Sequence, residues 1–462
     1  MNINRRKFLH GMSTTAMSAA TMGTLTTGLN AFTVNVQTAS DYKALVCVFL
    51  LGGMDTHDLL IPYDNESYSQ YRNIRSTMLE GYGTSREQAA LLPLSPTNAA
   101  DYGNRAFALP PEMSNLHQLF HQGDAAIIGN VGPLIQPTSK TELENKSVPL
   151  PPRLFSHNDQ QATWQSGGPE GAQYGWGGLF ADLVQQNNLN QEFTNITTQG
   201  NSLFLSGANT FPYQVSASGA SNIRLLSPEL FRDNPELQQM LSDHFASDDS
   251  DTANLLRQDV TMLNSAAFAS NQKFEAAFQD DLTLNTTFPA SRLGRQLETV
   301  AKTIANKEAL GVGRQIFFVA IGGFDTHDNQ AVTLPALQSQ IDSSVVSFHQ
   351  AMTEMGLNEQ VTLFTASDFG RTLAVNGDGT DHGWGSHHLV VGGAVNGQQI
   401  YGQVPPASLG HDWDAGNGRL IPGVSIEQLA APMGRWFGLS DAELAVALPN
   451  LANFSEQSLD FI

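Results

Sequence analysis

The heptapeptide GGMDTHD begins at Gly52, and GGFDTHD begins at Gly322. The first follows the apolar run VCVFLL and the second follows IFFVAI. Each copy offers two carboxylates and one imidazole: Asp55, His57 and Asp58 in the first, Asp325, His327 and Asp328 in the second. Two further segments carry the same atom types. VTLFTASDFGR ends in Ser367, Asp368 and Arg371, and DHGWGSHH supplies Asp381, His382, His387 and His388. Carboxylates and imidazoles together suit zinc, manganese or another divalent ion in mixed oxygen and nitrogen coordination. Carboxylates converging without a cation would repel and raise one another's pKa, and a divalent ion removes that conflict. The candidate ligands are therefore Asp55, Asp325, His327, Asp368, Asp381 and His382. The ion's identity stays open among zinc, manganese, calcium and magnesium. A single GGxD turn is commonly just a turn whose Asp caps a helix. The argument rests on the set, with two such turns and two Asp/His clusters all following apolar strands. His387 and His388 are adjacent and point differently, so at most one is a ligand.

RLFSHNDQQATWQSG adds Ser156 at the start of a helix-capable stretch. A Ser there is either an N-cap or a nucleophile, held where the helix dipole favours an alkoxide or bound anion and activated by a nearby metal. Arg371, just past Asp368, reads either as a planar clamp on an ester oxygen or as a surface ion pair.

These residues need a sheet to bring them together. KALVCVFLL and RQIFFVAIGG read as buried strands ended by Gly-Gly, and VTLFTAS and HHLVVGGAV read as two more. LHQLFHQ reads as a helix stopped by Gly123 before the strand AAIIGNV. LPALQSQIDSSVVSFHQAMTEMG reads as an amphipathic helix closed by Gly356. Strands alternating with helices imply βαβ units. The expected fold is α/β, a doubly wound, mostly parallel sheet flanked by helices. Ligands gather at the carboxyl ends of such strands, and both heptapeptides sit there. Residues 180–300, with a helix start at Ser227-Pro228, read as a mostly helical insertion or cap. Residues 133–152, rich in proline, read as a loop.

The chain of 462 residues carries 23 Lys and Arg against 44 Asp and Glu, a net charge of −21. A surface that acidic repels phosphate backbones and anionic lipid, which disfavours nucleic acid and membrane surfaces as partners. The lone cysteine, Cys47, excludes intrachain disulfides and Cys-rich zinc sites and reads as a buried strand residue. At the N-terminus, Arg5 and Arg6 precede Phe8 and Leu9 and a soft apolar stretch, the pattern of an export signal over residues 1–39. That stretch is too polar for a stable membrane anchor.

Taken together, the signal, GGxD, SHxDxQ, GGFDTH, SDFGRT, DHG and a closing GGAVNG followed by YG resemble a family. It is a twin-arginine-exported, sulfatase-like family of unknown function within the alkaline-phosphatase/sulfatase superfamily. The resemblance runs from Arg5 to about Tyr401. It implies export by the twin-arginine translocase to the periplasm or beyond, divalent metals, and hydrolysis of phosphate or sulfate esters on small molecules or glycans. It implies that Asp55, Asp325, His327, Asp368 and His382 match metal positions, and that Ser156 is the nearest match to a nucleophile. Three departures stand out. Phe369 occupies a position where the superfamily has a ligand His. Asn329 stands where the second carboxylate strand has its His. The modified-Cys signature of true sulfatases is absent. The expected function is a metal-dependent hydrolase of anionic esters. The alternative is a non-catalytic pseudoenzyme or binding protein on the same fold.

Overall fold

Nine residues, KALVCVFLL, form the central strand of the molecule. Alternation along it feeds two cores at once, because successive side chains of a strand point to opposite faces. Val46, Val48 and Leu50 enter one apolar cluster, and Leu45, Cys47 and Phe49 enter the other. A computed structural model of the chain describes residues 41–216, 219–220, 255–278 and 284–462, with isolated positions between 234 and 243. The expected export signal and the Ser227-Pro228 helix start lie outside the described residues.

The main sheet is built from β1 (Lys43–Leu51), β2 (Ala125–Gly132), β3 (Asn195–Thr197), β4 (Tyr213–Ser216), β5 (Gly219–Ala220), β6 (Arg314–Gly322) and β7 (Val361–Ser367). A hairpin of β8 (Arg371–Asn376) and β9 (Gly379–His382) stands apart from it. The sheet is completed by β10 (Ser386–Val391), β11 (Ile400–Gly402) and β12 (Val424–Ser425). The strand order is β11-β2-β10-β7-β1-β6-β3-β4-β5, with β12 also on β2. Pairing is parallel except at β10, antiparallel to both its neighbours, and at β5. The fold is the expected mostly parallel α/β sheet.

The helices that matter for the site are α1 (Asn65–Ile74), α2 (Ser114–Gln122), α3 (His157–Ser166), α4 (Trp176–Val184), α5 (Arg292–Ala305), α6 (Gln330–Glu354) and α7 (Ile426–Phe437). Apolar side chains of α2, α5 and α6 pack on one face of the sheet. Those of α4 and α7, with Trp164 of α3, cover the other. Gly123 ends α2 in the left-handed region at φ 91°, where only glycine sits without strain.

Two expectations change. Residues 180–300 do hold the helix Leu255–Ala277, but they also lend β3 and β4 to the sheet. The strand β3 is only NIT, too short to show a periodic pattern. The proline-rich loop contains a helix, Lys140–Asn145, entered through a Ser139/Glu142 capping box.

Candidate metal centre

Three parallel strands end level with one another: Leu50 of β1 pairs with Ser367 of β7, and Leu51 pairs with Gly322 of β6. The next residues of each are Gly52, Asp368 and Gly323. Gly52 and Gly53 have φ of 115° and 80°. A Cβ on Gly52 would lie 2.5 Å from the Asp325 nitrogen, and one on Gly53 would lie 2.3 Å from the Phe369 ring. The first Gly-Gly is therefore what lets the second heptapeptide and the DFG loop close over the strand ends.

Beyond the glycines, the copies diverge. Asp55 is fully buried, and Arg75 at the C-terminal cap of α1 grips both its oxygens, at 2.6 and 3.0 Å. Gln330 Nε2 donates to Asp55 Oδ2 at 2.6 Å. Asp58 is likewise buried against Arg86. Asp55, expected as a metal ligand, is instead paired with a guanidinium, and both of its oxygens accept from donors of the protein.

Asp325 turns outward, with 44% of its side chain exposed. Its Oδ1 accepts from Arg371 Nη1 at 2.8 Å and lies 3.0 Å from His327 Nε2 and 3.1 Å from His382 Nε2. Its Oδ2 lies 3.4 Å from His157 Nε2. One ligand atom each from His157, Asp325 and His382 lie within 4.8 Å of one another. Both imidazoles are oriented from behind. His157 Nδ1 meets Asp368 Oδ2 at 2.7 Å, and His382 Nδ1 meets the Phe155 carbonyl at 2.8 Å. Both partners accept, so each Nδ1 donates, and that turns each Nε2 toward Asp325. Metal-binding histidines are held in this way. Phe155 itself sits at φ 74°, a conformation that bulky residues rarely adopt.

The donor set of two oriented imidazoles and a partly solvated carboxylate fits a divalent ion of the zinc type. The hydrogen bond to Asp368 raises the His157 pKa above its ordinary value, against partial burial. Burial pulls the Asp325 carboxyl upward, and Arg371 together with the charges of His327 and His157 more than offsets it, leaving that group below the usual range. Burial lowers His382.

The remaining expected site residues fall around this cluster. Asp368 is fully buried; its Oδ1 accepts from the Gly52 amide, and its Oδ2 accepts from His157 and from Gln161 Nε2 at 2.7 Å. It orients a histidine of the candidate cluster, and both of its oxygens face donors of the protein. Arg371, expected as an ester clamp, is fully buried and donates to Thr380 Oγ1, the Thr380 carbonyl and Asp325. With those bonds made and no exposure, it anchors Asp325 instead. His327 Nε2 lies 2.9 Å from His382 Nε2. Asp381 is at the outer edge, 3.5 Å from His327 Nδ1 and bonded to Asn376. Ser156 opens α3, with its hydroxyl donating to Asp159 Oδ2 at 2.8 Å.

A protein-family pattern, described as "Protein of unknown function (DUF1501)", matches residues 42–448. The chain belongs to the DUF1501 family. Among curated proteins none matches it in sequence. Solved structures with a distant likeness to this DUF1501 chain include the PsFucS1 sulfatase from Pseudoalteromonas sp., 9% identical, with a TM-score of 0.37 over 91% of this chain and 71% of that one. Another is the zinc complex of the C-terminal periplasmic domain of EcEptC from Escherichia coli, 11% identical, with a TM-score of 0.30 over 77% and 74%. A third is the lipoteichoic acid synthase LtaP from Listeria monocytogenes, 9% identical, with a TM-score of 0.27 over 79% and 67%. Among the described residues, no helix is long and apolar enough to cross a membrane.

Sequence reasoning about this DUF1501 member passed over His157 as a ligand and Gln161 as its neighbour. A signal was present: His and Gln four apart at the start of a helix share one face, and both reach Asp368. Phe369, buried at the site, places its ring 4.8 Å from that of His157 and 4.6 Å from that of His382, so it forms an apolar wall behind both imidazoles. His387 and His388 lie in β10, both buried and both pushed down to about 3 by burial. His387 Nδ1 accepts from the Asn130 amide, and His388 bonds Ser386 and Thr365.

Proposed function

We propose that this DUF1501 protein is an exported, divalent-cation-dependent hydrolase of phosphate or sulfate esters on small molecules or glycans. The observation that carries the reading is the convergence of His157 Nε2, His382 Nε2 and Asp325, with both imidazoles oriented by acceptors behind them. A bound divalent ion supplies charge that polarises an ester oxygen and makes a nearby water or hydroxyl more acidic. The chain's own residues do the rest. Asp325, His157 and His382 hold the ion, while Asp368 and the Phe155 carbonyl keep the two imidazoles in the binding tautomer. Arg371 fixes the Asp325 carboxylate. His327, half exposed and within reach of the cluster, is placed to give a proton to the leaving oxygen. Ser156 is the proposed nucleophile: its oxygen would bond the ester's phosphorus or sulfur as the leaving oxygen departs with the proton from His327. Its own proton would pass to Asp159, to which it already donates a hydrogen bond, and water would then release the phosphate or sulfate from the serine. The paired Arg5 and Arg6 support export through the twin-arginine translocase.

The test is to strip the full chain of metal, reload it with zinc, manganese, calcium or magnesium, and assay phosphate and sulfate esters. Cation-dependent turnover that disappears in His157→Ala supports the reading. Ser156→Ala then separates attack by serine, where turnover is abolished, from attack by water, where it survives. Absence of both a bound ion and turnover would remove the proposal. Phe369 favours one other reading, a non-catalytic binding protein, because an apolar ring fills the position of a ligand His in the superfamily the sequence resembles. That version predicts tight ion binding with no turnover.

A further inference from the structure

Resting on the cation site just described, we propose that Gln330, the first residue of α6, is the positioning residue that sets the geometry of Asp325. Its amide joins three segments. Gln330 Nε2 donates to Asp55 Oδ2 of the first heptapeptide at 2.6 Å. Gln330 Oε1 accepts from Thr326 Oγ1 of the second heptapeptide at 3.0 Å and from Thr380 Oγ1 of the hairpin at 2.7 Å. Thr380 Oγ1 in turn accepts from Arg371 Nε at 3.2 Å, and Arg371 Nη1 donates to Asp325 Oδ1 at 2.8 Å. Gln330, Thr380 and Arg371 are fully buried, and Thr326 nearly so.

Only one orientation of the amide satisfies these partners. Asp55, whose two oxygens both accept from Arg75, faces the NH2 group of the amide. The hydroxyl of Thr326 and that of Thr380 then donate to the oxygen. That orientation leaves the Thr380 oxygen free to accept from Arg371. Thr326 lies between Asp325 and His327, so its tethered hydroxyl holds the loop with both neighbours turned outward. The buried ion pair of the first heptapeptide thus anchors the polar chain that ends at the Asp325 carboxylate. A fully satisfied buried network of this kind fixes a single arrangement.

The experiment is a Co2+ titration of the metal-free full chain followed by visible absorption, which reports both affinity and ligand geometry. Gln330→Leu and Thr380→Val are expected to weaken Co2+ binding roughly 10- to 100-fold and to shift the bands, as loss of outer supports does at metal sites. Thr380→Ser keeps the hydroxyl and is expected to bind as the parent does. Gln315→Leu removes an equally buried amide remote from the site, where Gln315 bonds Tyr42 and the Phe193 carbonyl. It is expected to lower the unfolding temperature while leaving affinity and bands unchanged. Should Gln330→Leu not fold, the Thr380→Val and Thr380→Ser pair makes the same comparison. Parent-like affinity and bands in Gln330→Leu, or in Thr380→Val, would overturn the inference while leaving the cation site standing. A parent that binds no Co2+ would remove the site itself, and the inference with it.

Discussion

GGMDTHD and GGFDTHD leave neighbouring strands at the same level and go opposite ways. In the first, Asp55 and Asp58 turn into the molecule, each fully buried against an arginine. In the second, Asp325 and His327 turn out, each with more than two-fifths of the side chain exposed. What separates the copies is the partner available inside. Arg75 and Arg86 wait under the first loop, whereas the second loop meets the buried Arg371 and the two imidazoles of His157 and His382. The same letters thus serve as an anchor in one place and as candidate ligands in the other. A motif's chemistry is set by which buried charges reach it.

Removing the carboxylates should separate the copies most sharply. Asp55→Ala strands a buried guanidinium and is expected to cost about 3–5 kcal/mol of stability, read from urea unfolding. Asp325→Asn keeps a hydrogen-bond acceptor for Arg371 at a partly solvated position, with an expected cost below about 1 kcal/mol. Comparable losses in the two variants would erase the distinction.

The glycines should follow the same order with smaller effects. Gly53→Ala drives a methyl into the Phe369 ring at positive φ, an expected loss of roughly 3 kcal/mol. Gly323→Ala has positive φ as well, but its nearest neighbour is the mobile end of Leu337 at 3.4 Å, so about 1 kcal/mol is expected. Equal effects would mean that the second Gly-Gly is packed as tightly as the first.

The pH response sharpens the comparison further. Burial, aided by the Arg75 charge, holds the His57 pKa at about 3, against an ordinary 6.5. Between those values the unfolded chain takes up a proton that the folded chain refuses. Stability therefore falls as pH drops through that window, and His57→Gln should reduce the slope by about one proton. His387 and His388 titrate in the same window, so the slope shrinks without vanishing. At the second copy pH should act on binding instead. Asp368 raises the His157 pKa, so protons compete for that imidazole and cation affinity should keep climbing above pH 6.5. A flat affinity profile there would exclude His157 as a ligand.

Much of the frame was legible in the sequence because it rests on apolar runs. KALVCVFLL, RQIFFVAIGG and VTLFTAS are strands as read, and their level ends follow from parallel pairing. The grouping of Asp325, His327, Asp368 and His382 was legible from their places after those strands. Individual roles were not. Nothing in the letters around Asp55 announces Arg75, because that pairing is made in three dimensions by α1. Asp368 and Arg371 have the right atoms for ligation and clamping, and only burial shows that they act on neighbouring residues. His157 was hidden because it opens a helix rather than ending a strand. The short β3 and β4 escaped because three or four residues carry no period.

The central claim is that His157, His382 and the outward Asp325 bind a divalent ion while the inward Asp55 does not. Calorimetric titration of zinc into the metal-free full chain tests it most directly, alongside Asp325→Asn, His382→Ala and, for the first copy, His57→Gln. The account predicts one site in the parent, weakened by more than about 100-fold in Asp325→Asn and His382→Ala and unchanged in His57→Gln. A parent that binds no zinc, or binding that survives both second-copy and rim substitutions intact, would contradict it.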